Sequence, residues 1–269
     1  MRRGKTSANS APIFARWRMP DSSRPASRRT RLDRLVVERG LASSRERAQA
    51  LIAQGHIALD GHIVTKPSTL VPGDARVERR GEDHPFVGRG GIKLEAALAA
   101  FALDPAGWIC LDVGASTGGF TDCLLRHGAR RVYAIDVGSG QLDPRLRADP
   151  RVMAREQCDG RRLRRADFAE AIDLITVDVS FISATLLLPA LAPLLRPGGT
   201  ILVLVKPQFE AGRAQIGKRG VVRSAAARAA AVARVRAALA AAGLQPRGEI
   251  ASPILGGEGN QEFFLRAER

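Results

Sequence analysis

Aromatic residues and cysteines are scarce in this sequence of 269 residues. Phe, Trp and Tyr together make up 4% of the chain although 45% of it is hydrophobic, so a core has to be built mainly from Leu, Val, Ile and Ala. Cys110, Cys123 and Cys158 form no C-x-x-C pair, and the four histidines show no ligand spacing. We therefore expect a reduced protein with no disulfide framework and no bound metal.

Long apolar runs are also missing. The stretch 186–195 is interrupted by Pro189 and Pro193, and no segment of the sequence reaches the roughly 18 apolar residues of a membrane span. The basic N-terminus has no apolar core of the kind found in secretory signal peptides. These absences predict a cytoplasmic protein that does not act at a membrane.

Acidic residues are outnumbered. The chain has 42 Lys and Arg against 27 Asp and Glu, which gives a net charge of +15. Such a charge predicts a polyanionic partner, most often nucleic acid, although an arginine-rich composition from a GC-rich genome would produce the same excess. Residues 1–30 hold eight of the basic residues and one acid, Asp21. They are predicted to be a disordered basic tail that contacts RNA or is merely solvated.

The glycine-rich segment D-V-G-A-S-T-G-G-F, residues 112–120, is the motif around which the rest of the chain is arranged. Residues 108–111 are typical of a buried strand and residues 120–126 of a helix, which together predict the opening of a nucleotide-binding α/β domain. The dinucleotide pattern G-x-G-x-x-G is not met, because Ser116 replaces its second glycine. A dehydrogenase is therefore disfavoured, and a cofactor without a pyrophosphate, such as S-adenosylmethionine, is favoured. A plain tight turn is the alternative.

Acidic residues end the first two predicted strands. Asp112 closes the first, and Asp136 closes a second strand over residues 131–136, 18 residues after Gly118. An acid near this distance takes the ribose hydroxyls of a nucleoside in dinucleotide-binding folds. We expect the two carboxylates to bracket the mouth of the sheet; an ordinary turn acid is the alternative for Asp136.

Further apolar segments complete a predicted α/β domain of Rossmann-like type. An Ala- and Arg-rich helix is expected at 224–242, and a helix that opens at F-V-G-R-G-G-I-K-L carries Lys93 at its start, where the glycines would let an anion approach. The apolar runs indicate a mostly parallel seven-stranded sheet that is covered on both faces. Its remaining strands are expected at residues 151–154, 171–178, 200–207, 249–253 and 262–265.

Residues 31–80 are predicted to form a separate small α+β unit with two short helices, a β-hairpin that turns at Asp60-Gly61 and a last strand over 75–78. Its motifs R-L-D-x-x-L, G-L-x-x-S-R-x-x-A, L-I-x-x-G-x-I-x-x-D-G and K-P-S resemble the S-four fold, an RNA-binding module. The resemblance implies docking on structured RNA through basic side chains; a solvated charged face is the alternative. The residues expected to contact RNA are Arg31, Arg34, Ser44, Arg45, Arg47, Lys66 and Arg89.

Four charged residues are expected at the edge of the sheet where open α/β folds bind ligands. Residues 81–88 are predicted to be a linker, after which a catalytic domain covers 89–269 and contains all four. Lys93 opens a helix, Asp178 and Lys206 end strands, and Glu262 opens the last strand. For any one of them a plain surface charge is the alternative, although a lysine next to a buried apolar run, as at Lys206, needs water or a partner.

The segment from residue 86 onward resembles the FtsJ-like ribose methyltransferases, and the two-domain whole resembles the TlyA, or haemolysin A-like, family of rRNA 2′-O-methyltransferases. The motifs that carry the resemblance are F-V-G-R-G-G-I-K-L, D-V-G-A-S-T-G-G-F-T-D, T-V-D-V-S-F-I-S, V-K-P-Q-F-E and G-N-Q-E-F-F. The resemblance implies an S-adenosylmethionine-dependent enzyme that methylates cytidine ribose in ribosomal RNA, with the four charged residues as a catalytic tetrad and Lys206 as the candidate base. The implied cofactor contacts are Asp112, Gly114, Ala115, Ser116, Thr117, Gly118, Gly119, Phe120, Asp136, Asp159 and Asp178.

The sequence leaves two other classes of function open. A ribosome-assembly factor could keep the RNA-binding fold without turnover, which the complete tetrad disfavours. The older family name suggests a haemolysin, for which the sequence offers no bilayer-length segment. The modified nucleotide and the oligomeric state are not predicted.

Overall fold

The computed structural model describes residues 29–42, 44–53, 55–80, 84–212, 215–217, 220–256 and 259–269. The chain divides into two compact units, Met1–Asp83 and His84–Arg269. The basic tail predicted for residues 1–30 lies outside the described residues except for its last two positions.

The first unit combines two helices with short strands, as the sequence predicts. Its hairpin turns at Asp60 and Gly61, which both have positive φ values of +48° and +85°, as a tight two-residue turn requires. Strands β2, β3 and β5 form one antiparallel sheet, and β1 pairs with β4. The elements are β1 (Arg29–Arg31), α1 (Leu32–Glu38), α2 (Arg45–Ala53), β2 (Ile57–Leu59), β3 (His62–Ile63), β4 (Leu70–Pro72) and β5 (Val77–Arg79).

The pairing of β1 with β4 differs from the prediction. Arg29 and Thr30 were assigned to the tail, but they lie opposite Pro72 and Val71 in an antiparallel pair. Pro72 is tolerated there because β4 has only one strand partner and its missing N–H can face away from β1. Neither segment shows alternating polarity, so their pairing is not marked by a sequence pattern.

Asp33 is the polar centre of the first unit. Its side chain is fully buried and accepts hydrogen bonds from Arg31 at 2.8 and 3.1 Å, from Gln49 at 2.9 Å and from Arg45 at 3.1 Å. The Arg31 guanidinium in particular holds the pKa of Asp33 far below its usual range. A buried carboxylate that is paired in this way ties α1 to α2 and fixes two of the arginines predicted to contact RNA.

The second unit is an α/β sandwich. Five parallel strands, β6 to β10, are joined by β11 and β12, and β12 runs antiparallel to both of its neighbours in the order β11-β12-β10-β9-β6-β7-β8. The predicted mostly parallel seven-stranded sheet is thereby confirmed. The elements are α3 (Gly90–Ala100), β6 (Ile109–Val113), α4 (Gly119–Arg126), β7 (Arg131–Ile135), α5 (Pro144–Arg147), β8 (Val152–Arg155), β9 (Ile172–Val177), α6 (Leu188–Leu191), β10 (Leu195–Val205), α7 (Pro207–Glu210), α8 (Ala225–Ala241), β11 (Gln245–Ala251) and β12 (Phe263–Glu268).

Alternation along the central strands builds a core on each face of the sheet. In β10, Ile201 and Val203 pack on the face covered by α6 and α8, whereas Leu202 and Leu204 pack on the face covered by α3 and α4. All four side chains are at most 2% exposed. Because both faces are covered, ligands can approach this sheet only at its edges and strand ends.

The predicted linker over 81–88 is shorter in the structure. Phe86 and Val87 are only 5% and 7% exposed and belong to the core of the second unit. The ring of Phe86 occupies the space of the missing Gly91 side chain, where an added Cβ would lie 2.1 Å from Cγ of the ring. Gly91 therefore serves packing rather than the close approach of an anion, which the sequence suggested.

The segment before β10 also departs from the prediction. In the apolar stretch 186–195, helical structure is limited to α6 and flanking 3-10 turns, because Pro189 and Pro193 interrupt the helical hydrogen bonds. The strand expected from residue 200 already begins at Leu195, with an irregular register up to Thr200. Among the described residues, no helix combines the length and apolar character that crossing a bilayer requires.

Candidate active site

The glycine-rich turn after β6 packs directly against the end of β9. Gly114 has a φ of +88°, and a Cβ at this position would lie 2.4 Å from the carbonyl oxygen of Asp178. Its N–H donates to the Ile135 carbonyl at 2.9 Å, which ties the same turn to β7. Only glycine permits this approach, so the turn and the two strand ends form one rigid edge.

A cleft of about 540 Å³ opens beside this turn at the carboxyl ends of β6, β7 and β9. A smaller pocket of about 150 Å³ adjoins it along the start of α4. Nine of the predicted cofactor residues line one or both cavities. They are Gly114, Ala115, Ser116, Thr117, Gly119, Phe120, Asp136, Asp159 and Asp178.

Asp136 is held in place at the end of β7. Its carboxylate accepts hydrogen bonds from the Ser116 N–H at 2.8 Å and the Gly138 N–H at 2.7 Å. A carboxylate has about four acceptor positions, so a ribose diol could still be bound. Asp159 also lines the cleft, but Arg161 holds it through its backbone N–H and guanidinium, and these bonds lower the pKa of Asp159 to about 2.

Gly118 and Asp112, the other two predicted cofactor residues, do not line either cavity. Gly118 has a φ of +96°, and the space of its missing Cβ is taken by Leu146. Asp112 is fully buried and does not bracket the mouth of the sheet with Asp136. It accepts from the Thr121 hydroxyl at 2.7 Å and the Thr176 hydroxyl at 3.1 Å, and thereby joins β6 to α4 and β9.

Burial raises the pKa of Asp112 from 3.8 to about 7, so this side chain should make folding pH-dependent. The folded state holds a proton that the unfolded state has lost above pH 3.8, so stability falls as pH rises towards 7. From pH 5 to pH 8 we expect a loss of about 3 kcal/mol in unfolding free energy, which the neutral variant Asp112→Asn lacks. Urea unfolding of both proteins across this range measures the difference. Parallel pH curves would contradict it.

Two lysine–carboxylate ion pairs stand near the same edge of the sheet. Lys206 Nζ lies 2.6 Å from Asp178 Oδ1 and donates to the Ser180 hydroxyl at 2.8 Å. Lys93 Nζ donates to Glu262 Oε2 at 2.6 Å, and the two side chains are only 11% and 3% exposed. Lys93 is thus a buried, paired charge, whereas the position of a lysine on a first helical turn favours the surface.

Strand register brings the two pairs together. Val205 and Phe263 are direct partners of β10 and β12, so the adjoining Lys206 and Glu262 face each other at the next position, with Cα atoms about 5 Å apart in such pairs. Asp178 follows the neighbouring strand β9, and its N–H donates to the Val113 carbonyl at 2.9 Å. The two ion pairs therefore meet where β10 and β12 adjoin, and Asp178 also lines the cleft.

The loop after β9 contains site residues that the sequence did not single out. Glu210 accepts from the Ser183 hydroxyl at 2.5 Å and the Ala184 N–H at 2.7 Å, which anchors the loop on α7. Phe181 has a φ of +65°, is 92% exposed and lies 5.4 Å from the ring of Phe209. Ser180 and Phe181 both line the cleft. The motifs V-S-F-I-S and V-K-P-Q-F-E contain these residues, but no spacing rule marks their roles.

The residues predicted to bind RNA divide into those with internal partners and those that face outward. Arg31 and Arg45 are held by Asp33, with 37% and 44% of their side chains exposed. Ser44 accepts from the Arg47 N–H at 3.2 Å and so caps α2. Arg34 and Lys66 are exposed, and Arg89, in the second unit, donates to the Leu255 carbonyl at 3.0 Å.

One group of possible metal ligands lies between α3 and α4. Glu95 is 2.8 Å from His127 Nε2 and accepts from the Cys123 thiol at 3.7 Å. Cys123 and His127 are one helical turn apart along the chain. Burial raises the pKa of the Cys123 thiol, which keeps the sulfur protonated, so the contacts are those of a hydrogen-bonded bridge between two helices.

Comparison with protein families gives two matches along the chain. Residues 86–269 match the FtsJ-like methyltransferase family, and residues 30–77 match the S4 domain. The first match contains every residue of the two cavities and of the two lysine–carboxylate ion pairs. The second contains the two helices that Asp33 joins.

Individual relatives cover nearly the whole chain. "16S/23S rRNA (cytidine-2'-O)-methyltransferase TlyA" of Mycobacterium tuberculosis (strain CDC 1551 / Oshkosh) is 44% identical over 240 residues, which are 89% of this chain and 90% of that protein. "Hemolysin A" of Brachyspira hyodysenteriae is 38% identical over 235 residues, 87% and 98% of the two chains. A solved Streptococcus thermophilus structure whose name contains the word hemolysin superposes with a TM-score of 0.72 at 42% identity, over 90% of this chain and 88% of that one.

Proposed function

The chain belongs to the FtsJ-like methyltransferases and, among them, to the S4-domain proteins that include TlyA and hemolysin A, and from this premise we propose that it methylates the ribose 2′-hydroxyl of cytidine in ribosomal RNA. The methyl donor of this proposal is S-adenosylmethionine. The observation that carries the proposal is the presence of two lysine–carboxylate ion pairs at one edge of the sheet, one of which reaches the cleft through Asp178. Four fixed charges at a ligand-binding edge suit proton removal from an alcohol.

The cleft offers what a nucleoside-containing cofactor needs. The Asp136 carboxylate keeps free acceptor positions for ribose hydroxyls, and Ile135, Val179 and Leu187 provide apolar walls for a base. Asp159 stands at the rim as an acceptor, although Arg161 already occupies much of its carboxylate. When bound, S-adenosylmethionine supplies an electrophilic methyl group carried on a sulfonium sulfur.

Lys206 is the residue proposed to remove the proton. In its amine form, Nζ takes the proton from the 2′-hydroxyl, which leaves the oxygen able to attack. Asp178, at 2.6 Å, compensates the positive charge that Lys206 gains. Lys93 and Glu262 form the second ion pair, which orients the neighbouring strand ends. Much of the rate would come from holding the hydroxyl and the methyl donor in line.

RNA binding is proposed for the S4 unit. Asp33 holds the guanidinium groups of Arg31 and Arg45 in fixed directions while leaving part of each exposed. Fixed guanidinium forks lose little side-chain entropy on binding phosphate. Arg34 and Lys66 add exposed positive charge. The proposed partners are therefore ribosomal RNA or ribosomal subunits in the cytoplasm, recognised mainly by backbone and shape.

Mapping of ribose methylation on ribosomal RNA tests the proposal. RNA from cells with and without the gene is compared, and at least one cytidine should lose its 2′-O-methyl group when the gene is deleted. The wild-type gene should restore that position, and a Lys206→Ala gene should not. An unchanged methylation map would contradict the proposed function, as would full restoration by the variant.

A further inference from the structure

Two residues of the loop after β9 contact the ammonium group of Lys206. Asp178 Oδ1 lies 2.6 Å and Ser180 Oγ 2.8 Å from Nζ. The loop itself is fixed at both ends, by the Asp178 N–H on the Val113 carbonyl and by Glu210 on the Ala184 N–H. Because Ser180 sits between these anchors, its hydroxyl keeps a defined position beside Lys206.

A neutral amine has two N–H donors and one lone pair in a tetrahedral arrangement. Ser180 Oγ accepts one of the N–H groups, whereas Asp178 Oδ1 lies close to Nζ without the geometry of a hydrogen bond. The bond to Ser180 therefore restricts the directions in which the lone pair can point. We infer that Ser180 is a positioning residue, which together with Asp178 aims the Lys206 lone pair at the hydroxyl to be deprotonated. This inference rests on the proposed function and adds a specific role for a serine outside the predicted tetrad.

Loss of the serine hydroxyl should affect the rate and not binding. Without the Ser180 hydroxyl as acceptor, the amine can rotate about its Cε–Nζ bond, and the lone pair spends less time aimed at the substrate. One hydrogen bond of this kind corresponds to a rate change of about three- to tenfold. Lys206 stays next to Asp178 in this variant, so the residue that accepts the proton is retained.

Steady-state methylation of ribosomal RNA by the full-length protein tests this inference. We expect Ser180→Ala to lower kcat about three- to tenfold, with unchanged KM for S-adenosylmethionine and for RNA. Ser180→Thr, which keeps a hydroxyl, should restore kcat. Ser224→Ala provides a matched control, because Ser224 caps α8 away from the cleft and its loss should lower the melting temperature without changing kcat. Ser180 is exposed, so its variants should melt like the wild type.

Other outcomes separate this inference from the proposed function. An unchanged kcat in Ser180→Ala, or a raised KM for S-adenosylmethionine at constant kcat, would overturn the positioning role while leaving the methyltransferase assignment intact. Failure of Ser180→Thr to restore kcat would also count against it. A wild-type protein that methylates no ribose would overturn both.

Discussion

Replacement of Lys206 by alanine should reduce methylation by about 10²- to 10⁴-fold, the usual contribution of a general base. Lys206→Arg is the informative partner variant. Its guanidinium preserves the positive charge opposite Asp178 but cannot accept a proton at any accessible pH. We therefore expect the arginine variant to be as inactive as the alanine variant, which distinguishes a base from a fixed positive charge.

Single-turnover methylation of ribosomal RNA by both Lys206 variants measures this prediction, and calorimetry with S-adenosylmethionine provides the control. Both variants should bind the cofactor with an affinity close to that of the wild type, since the apolar walls and Asp136 are unchanged. Substantial activity in Lys206→Arg would mean that charge alone is needed at this position. The role of base would then have to be assigned to another group.

The second large effect is expected on stability, at the buried pair of Lys93 and Glu262. Glu262→Gln leaves the Lys93 ammonium without a counter-charge in a site where it is only 11% exposed. Removal of one partner of a buried pair costs about 3–5 kcal/mol of unfolding free energy, because the other charge stays desolvated. The double variant Lys93→Met/Glu262→Leu, which removes both charges, should regain much of that loss without regaining activity.

Urea denaturation of the wild type, Glu262→Gln and the double variant gives these free energies. Glu249→Gln serves as a further control, because the pair of Glu249 with Arg236 is largely exposed and its loss should cost less than about 1 kcal/mol. Equal small effects at Glu262 and Glu249 would show that water reaches Lys93. The buried-pair interpretation would then be wrong.

The sequence was sufficient for the architecture because strands of the central sheet are marked by apolar runs and by acids at their ends. The strand ends that carry Lys206 and Glu262 were also predicted, whereas the direct pairing of their strands was not. The burial of Lys93 could not be predicted, because a lysine on a first helical turn has the same local pattern whether or not a distant carboxylate covers it. Long-range pairs of this kind leave no periodic trace.

For Asp112, the sequence pattern predicted an exposed position that the fold does not give it. It stands at the start of the glycine motif like a ligand-binding acid, yet it is turned inward to two threonine hydroxyls. The threonines are 9 and 64 positions away along the chain, and only the folded sheet brings them together. The burial of Phe86 was not predicted for a related reason. Its ring fills the space that Gly91 leaves by having no side chain, and no sequence motif marks such a contact.

The contact between Gly114 and the Asp178 carbonyl has a consequence for how catalysis is aligned. The glycine-rich turn would bind the methyl donor, and its backbone contacts the backbone of the strand end next to Lys206. No side chain lies between the two segments. In the proposed function, the methyl donor and the base would thus be held by directly contacting backbone segments. A methyl group at position 114 would clash with the Asp178 carbonyl oxygen and push the two segments apart. The in-line alignment that methyl transfer requires would then be lost.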